Sequence, residues 1–158
     1  MANFELLKEL TQAWGVAGRE KAVRAIVLRE LEGHVDSAYV DNIGNIIAVK
    51  HGKGSPDSKN IMLSAHMDEI GLQVKKIESD GRIKVCSVGW VWTSALYNDQ
   101  VVFQNGVIGV VGCDGKIEDA KNDSGKLYID IGCTSKEDTE KYVKVGDYAG
   151  FVGPWYEL

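Results

Sequence analysis

The chain has 158 residues, 44% hydrophobic and 26% charged, with a net charge of −5 and a pI near 5.2. That length suits one domain or two small ones with a sizeable core. The acidic balance, without any run of Lys or Arg, argues against general binding to nucleic acid or to an anionic membrane. Cys86, Cys113 and Cys133 are odd in number, lie far apart and form no CxxC pair, so neither a disulfide framework nor a zinc knuckle is indicated. They read as small buried hydrophobes in a reducing cytosol, and a cytoplasmic location is the expectation. The opening MANFELLKEL carries acids and is not a secretory signal, and no apolar run is long enough to span a membrane.

Phe4, Leu7, Leu10 and Trp14 recur at spacings of three and four, one face of a helix that Gly15 and Gly18 then break. A second helix is predicted from about Glu20, with Val23, Ile26, Val27 and Leu31 on one face and Gly33 as its stop. Strands follow over Val35–Val40 and Asn45–Lys50 around the turn Asp41-Asn42-Ile43-Gly44. After a Gly, Pro and Ser loop over Gly52–Ser58, a third strand opens at Asn60. Ile61 to Ala65 is apolar without alternation, as expected of a strand covered on both faces.

The remainder differs. Leu72–Ile77 and Arg82–Val88 flank Ser79-Asp80-Gly81, a hairpin signal. Val101–Gln104 and Val107–Val111 flank Asn105-Gly106, the strongest short hairpin dipeptide. Leu127–Ile131 alternates again, Ser135–Tyr142 suggests a short capped helix, and Val143–Val152 closes around Gly146-Asp147. This half reads as a small, mostly antiparallel β domain. With no flexible linker near Gly71, it reads as a domain inserted into an α/β one.

The stretch LSAHMDEIGL, Leu63–Leu72, carries the chemistry. Burying ionisable groups is costly unless they pair or bind a metal. His66 and Asp68, two apart in an extended chain, project together. Both could ligate zinc, cobalt or manganese, or His66 could ligate while Asp68 accepts its other ring N–H. The plain alternative is a hydrogen-bonded pair at a strand end, and from His-x-Asp alone that alternative is favoured. Glu69 would point away unless the strand has ended. A metal site needs three or four ligands. His34, near a helix end, and His51, beside a polar loop, are poor partners; Asp36 and Asp41 read as turn or solvent-facing residues. No G-x-S-x-G elbow or P-loop is present. The tryptophans of VGWVWTS read as core or interface packing.

LSAHMDEIGL resembles the first metal-ligand segment of metallopeptidase family 42, the glutamyl and deblocking aminopeptidases that form tetrahedral particles. LLKELTQAWGVAGRE, VDNIGNIIAVKHGKG, GVIGVVG, KLYIDIGCTSKED and VKVGDYAGF resemble further segments of that family, in order, across nearly the whole chain. The resemblance implies an α/β fold: residues 1–71 as the N-terminal part of a zinc-peptidase-like catalytic domain, 72–151 as an inserted PDZ-like β domain for dimerisation, and 152–158 as the start of the return. It implies release of N-terminal residues from peptides with two divalent metals that activate water and polarise the scissile carbonyl. It places His66 as a metal ligand and Asp68 as the catalytic residue orienting that imidazole.

The family's bridging Asp, its adjacent glutamates including the general base, and its late Asp and His have no counterpart here, and the chain contains no Glu-Glu pair. The chain therefore reads as the front half of an enzyme, inactive alone and supplying at most one clear ligand. Its partners would be peptide substrates, further copies of itself in a homo-oligomer, or a missing C-terminal half. A non-catalytic oligomerisation or regulatory module derived from the family is the alternative. An unrelated soluble α+β protein is disfavoured by the ordered string of similarities.

Overall fold

The computed structural model describes residues 4–55, 59–120 and 123–157. The chain separates into two compact units, residues 1–68 and 69–158.

In the first unit, α1 spans Phe4–Gln12 and α2 spans Lys21–Leu31. Of the stripe read from the sequence of α2, Val23 and Ile26 are buried while Val27 and Leu31 are half-buried, and Val16 is buried before the helix. Beyond α2, Gly33 adopts a left-handed φ of 75°, a conformation that a side chain would disfavour. Strands β1 (Ser37–Val40) and β2 (Ile46–Val49) pair antiparallel, Tyr39 opposite Ile47. Asp41 sets their turn. Its Oδ1 accepts from the amides of Ile43 (3.0 Å) and Asn45 (2.8 Å), and its Oδ2 accepts from the Asn45 side chain (2.8 Å). These bonds, led by the one from the Asn45 side chain, hold the Asp41 carboxyl below its ordinary pKa. Part of the expected Gly52–Ser58 loop, residues 56–58, lies outside the described residues.

The third strand expected from Asn60 is absent: residues 59–68 have no regular secondary structure. Far from being covered on both faces, Ile61, Met62 and Leu63 are 86%, 88% and 92% exposed. A strand exists only through its neighbours' hydrogen bonds, and the sheet of this unit holds two strands, β1 and β2. The sequence pattern is that of a buried strand; the pairing that would make it one is missing.

The second unit closes on itself. Strands β3 (Gly71–Ile77), β4 (Ile83–Val88), β5 (Gln100–Phe103), β6 (Ile108–Cys113), β7 (Leu127–Asp130) and β8 (Tyr148–Phe151) form a barrel in the order β3-β4-β7-β6-β5-β8. All its pairings are antiparallel, and β8 pairs with both β5 and β3. Alternation puts Leu72, Val74, Ile83, Val85, Val101, Phe103, Val111, Leu127 and Ile129 inside. A register shift between Val74 and Lys76 leaves Lys75 and Lys76 both exposed and returns Ile77 to the core. Gly109 lies where a side chain would collide with Ile129 in the packed interior.

One short helix, α3 (Lys136–Thr139), abuts the β3–β4 turn. Ser135 caps it, its Oγ accepting from the Asp138 amide at 3.2 Å. The buried Thr139 hydroxyl donates to the Gly81 carbonyl at 2.9 Å. Gly81, at φ 91°, leaves room for the Cys133 carbonyl, which an added Cβ would approach to 2.5 Å. Outside the barrel, Asp114 receives Lys84 Nζ and, at 2.8 Å, Arg82 Nη1. The Lys84 hydrogen bond above all holds its carboxyl below the ordinary value. The three cysteines are free and half-buried, shallower than the sequence suggested. No helix among the described residues is long and apolar enough to cross a membrane.

The two units differ in how far their apolar residues are used. Leu127→Ala, at a position with no exposure, should destabilise the barrel by about 2–5 kcal/mol. Ile61→Ala should change stability by less than about 0.5 kcal/mol. Urea denaturation of the two variants checks the contrast; a comparable loss from both would mean that Ile61 is packed in solution.

Candidate active-site segment

Residues 59–68 form no strand, and within them His66 and Asp68 lie two residues apart. His66 Nδ1 lies 3.1 Å from Asp68 Oδ1 and 2.9 Å from the Asp68 carbonyl oxygen. Both neighbours are acceptors, so the tautomer that satisfies them carries its proton on Nδ1 and donates it. Nε2 is then left with its lone pair. A carboxylate behind an imidazole in this way fixes the ring and raises its basicity toward a cation. The His66 side chain is 85% exposed and that of Asp68 44%, so the ring faces solvent.

Of the remaining candidates, Asp36 accepts from the His51 backbone amide, and His34 and His51 are exposed. Asp41 is occupied by its turn. Glu69 is half-buried and begins the second unit. Among the described residues, no three His, Cys, Asp or Glu side chains are grouped so as to hold a metal ion. The donor chemistry of His66 suits zinc, cobalt or manganese, but it amounts to one ligand. A cleft of about 440 Å³ lies between α2 and β1, lined by Leu28, Leu31 and Val35 among others; it includes neither His66 nor Asp68.

One group of residues has a role that the sequence reading left undecided. Trp90 and Trp92 are 83% and 67% exposed, while Val91 between them is 6% exposed. The two tryptophans are therefore not core, although their spacing of two around a valine already carried the signal of a shared outward face.

Comparison with known proteins gives the family. The sequence profile of the M42 glutamyl aminopeptidases matches residues 44–158, and the chain belongs to that family. A protein of Acetivibrio thermocellus, provisionally assigned as an aminopeptidase, is 45% identical over 151 residues, which are 95% of this chain and 44% of the relative. The crystal structure of a TET aminopeptidase from a marine-sediment thaumarchaeote superposes with a TM-score of 0.85 at 30% identity, over 98% of this chain and 46% of that one. A Pyrococcus horikoshii TET peptidase described as assembling into a tetrahedron or an octahedral shell superposes with a TM-score of 0.75 at 35% identity, over 95% and 46% of the two chains. The chain thus spans less than half the length of these relatives.

If His66 is a metal ligand, with no group of three donors among the described residues, zinc titrated into the chain should bind weakly, and His66→Ala should abolish what binding there is. Isothermal calorimetry checks this. Tight stoichiometric uptake would reveal ligands that the described residues do not bring together.

Proposed function

We propose that this chain is the N-terminal portion of a dinuclear-metal aminopeptidase that removes N-terminal residues from peptides in the cytoplasm. His66 is one metal ligand, through Nε2, and Asp68 orients its imidazole. The metals, zinc, cobalt or manganese, would supply activation of water and polarisation of the scissile carbonyl. Residues 1–71 are part of an α/β catalytic domain, residues 72–151 an inserted PDZ-like dimerisation domain, and residues 152–158 the return. The chain associates with further copies of itself, as do the shell-forming relatives, and is inactive alone.

The observation that carries this reading is the His66–Asp68 pair, lying within the segment that matches the aminopeptidase family. The chain's own residues hold and orient one imidazole, and no group of three donors among the described residues includes it. A second reading, a non-catalytic oligomerisation or regulatory module of the same descent, is favoured by the contrast between a closed barrel and a single ligand.

Purified chain with added cobalt should not hydrolyse an aminoacyl-nitroanilide above a mock preparation. Steady hydrolysis that His66→Ala removes would contradict the claim of inactivity. Joined in frame to the C-terminal portion of an M42 aminopeptidase, the chain should become active. His66→Ala should then abolish activity, and Asp68→Ala should lower kcat/KM by about 10–100-fold. A folded but inactive chimera would favour the second reading.

A further inference from the structure

The hairpin that joins β5 to β6 holds a reactive dipeptide that the catalytic reading does not use. Of the seven asparagines in the chain, Asn105 is the one followed by glycine; the others precede Phe, Ile or Asp. The backbone nitrogen that follows an asparagine can attack its side-chain Cγ, and glycine has no side chain to hinder the approach. Asn105 and Gly106 are both exposed, and Gly106 adopts φ 87° with nothing within 4 Å of where a Cβ would stand. Yet every group that would react is engaged. The Gly106 N–H donates to the Phe103 carbonyl at 2.9 Å and closes the turn. Asn105 Oδ1 accepts from the Val107 amide at 3.2 Å, and Nδ2 donates to the Tyr142 carbonyl at 2.7 Å. One donor and one acceptor as partners fix which end of the carboxamide is nitrogen. Tyr142 follows α3, and its neighbour Val143 has no exposure and belongs to the barrel core. The Asn105 side chain thus ties the hairpin tip to a segment anchored in the interior. The chain also holds Asp80-Gly81 and Asp114-Gly115, which could cyclise in the same way. Asp80 accepts from the Arg82 amide and guanidinium, and Asp114 from Lys84 and Arg82, and these bonds keep both carboxyls below their ordinary pKa. An ionised carboxylate resists attack at its carbon; the neutral carboxamide of Asn105 has only the fold to protect it.

We propose that Asn105 is a deamidation site that the folded barrel holds closed and that opening of the barrel releases. In the reaction the Gly106 nitrogen forms a bond to Asn105 Cγ. The bond from Cγ to Nδ2 breaks, and Nδ2 leaves as ammonia, taking up the proton that the Gly106 nitrogen gives up. Water then opens the resulting succinimide at one or other of its carbonyls, leaving aspartate or isoaspartate. Water is the one reactant consumed, and no oxidation or reduction takes place. The product carries an added negative charge at the hairpin tip. It also sets an acceptor where Nδ2 donated to the Tyr142 carbonyl, so the tie to the core segment is lost. Deamidation is therefore an irreversible mark of past opening, and it makes the next opening easier. This site is independent of the catalytic reading and of any metal.

Peptide mapping by mass spectrometry tests the site, on purified chain incubated at mildly alkaline pH across a series of guanidinium chloride concentrations. Asn105 should convert at least ~10-fold faster above the unfolding transition than below it, because the reaction draws on the open population. Leu127→Ala should move the conversion profile and the unfolding transition to lower denaturant together. In the unfolded chain Asn105 should convert faster than Asn60 or Asn98, and Gly106→Ala should slow it to their level; both are read without any need for the variant to fold. Asn105→Asp, which reproduces one product, should raise native-state exchange of the Gly106 amide by about 2–10-fold, the effect of one lost hydrogen bond. A conversion rate that stays level through the transition, or that reaches its maximum before the barrel unfolds, overturns control by the fold. Conversion of Asn105 no faster than that of Asn60 in the unfolded chain overturns the site itself. An Asn105→Asp chain whose Gly106 amide exchanges as in the unaltered chain overturns the loss of the tie.

Discussion

Everything in this molecule turns on whether the backbone of each strand finds partners on both sides. In the second unit it does. Strand β8 pairs with β5 on one side and β3 on the other, and the six strands close without an open edge. Closure removes the unpaired amides and carbonyls that make sheet edges adhesive, and it wraps the apolar residues of all six strands around one interior. Among the described residues of the first unit, β1 and β2 pair only with each other. A run with the composition of a buried strand, Ile61 to Leu63, stays open to solvent.

The same difference governs the chemistry. A metal centre requires ligands converging from several elements, held by a finished sheet. Here the chain supplies an imidazole whose orientation is set locally, because Asp68 is only two residues from His66 and needs no tertiary structure to reach it. That local pair survives in an otherwise unpaired segment. Ligands that must come from distant strands have no such local route. On the proposed reading, the single ligand and the unpaired strand segment share one cause, a chain that spans less than half the length of its relatives.

The barrel was largely legible in the sequence because its determinants are local. Asn105-Gly106 and Ser79-Asp80-Gly81 set the hairpins, and alternation in Leu72–Val74 and Leu127–Ile129 fixes the inward face. What alternation could not give was the closure of the sheet into a barrel, which is a non-local pairing of β8 with both β3 and β5. Ile61–Ala65 shows the converse. Its composition states what environment it is suited to, and nothing in composition states whether that environment is present. The His66–Asp68 pair was legible from spacing, because an i, i+2 relation holds in any extended chain. The exposure of Trp90 and Trp92 was only half legible: their alternation with Val91 was visible, but not which side faced out.

The central claim is that the barrel is closed by its own strands while Ile61–His66, among the described residues, has no strand partner. Native-state amide hydrogen exchange, read residue by residue, tests it most directly. Amides of the paired barrel strands, such as those of Val74, Val85, Val111 and Ile129, should exchange only through global opening of the barrel. Amides from Ile61 to His66 should exchange at close to the rate of an unstructured peptide in the isolated chain, and should become protected once the C-terminal portion of the catalytic domain is supplied. Strong protection of Ile61–Leu63 in the isolated monomer would contradict the account, because it would mean that the strand already has its partners.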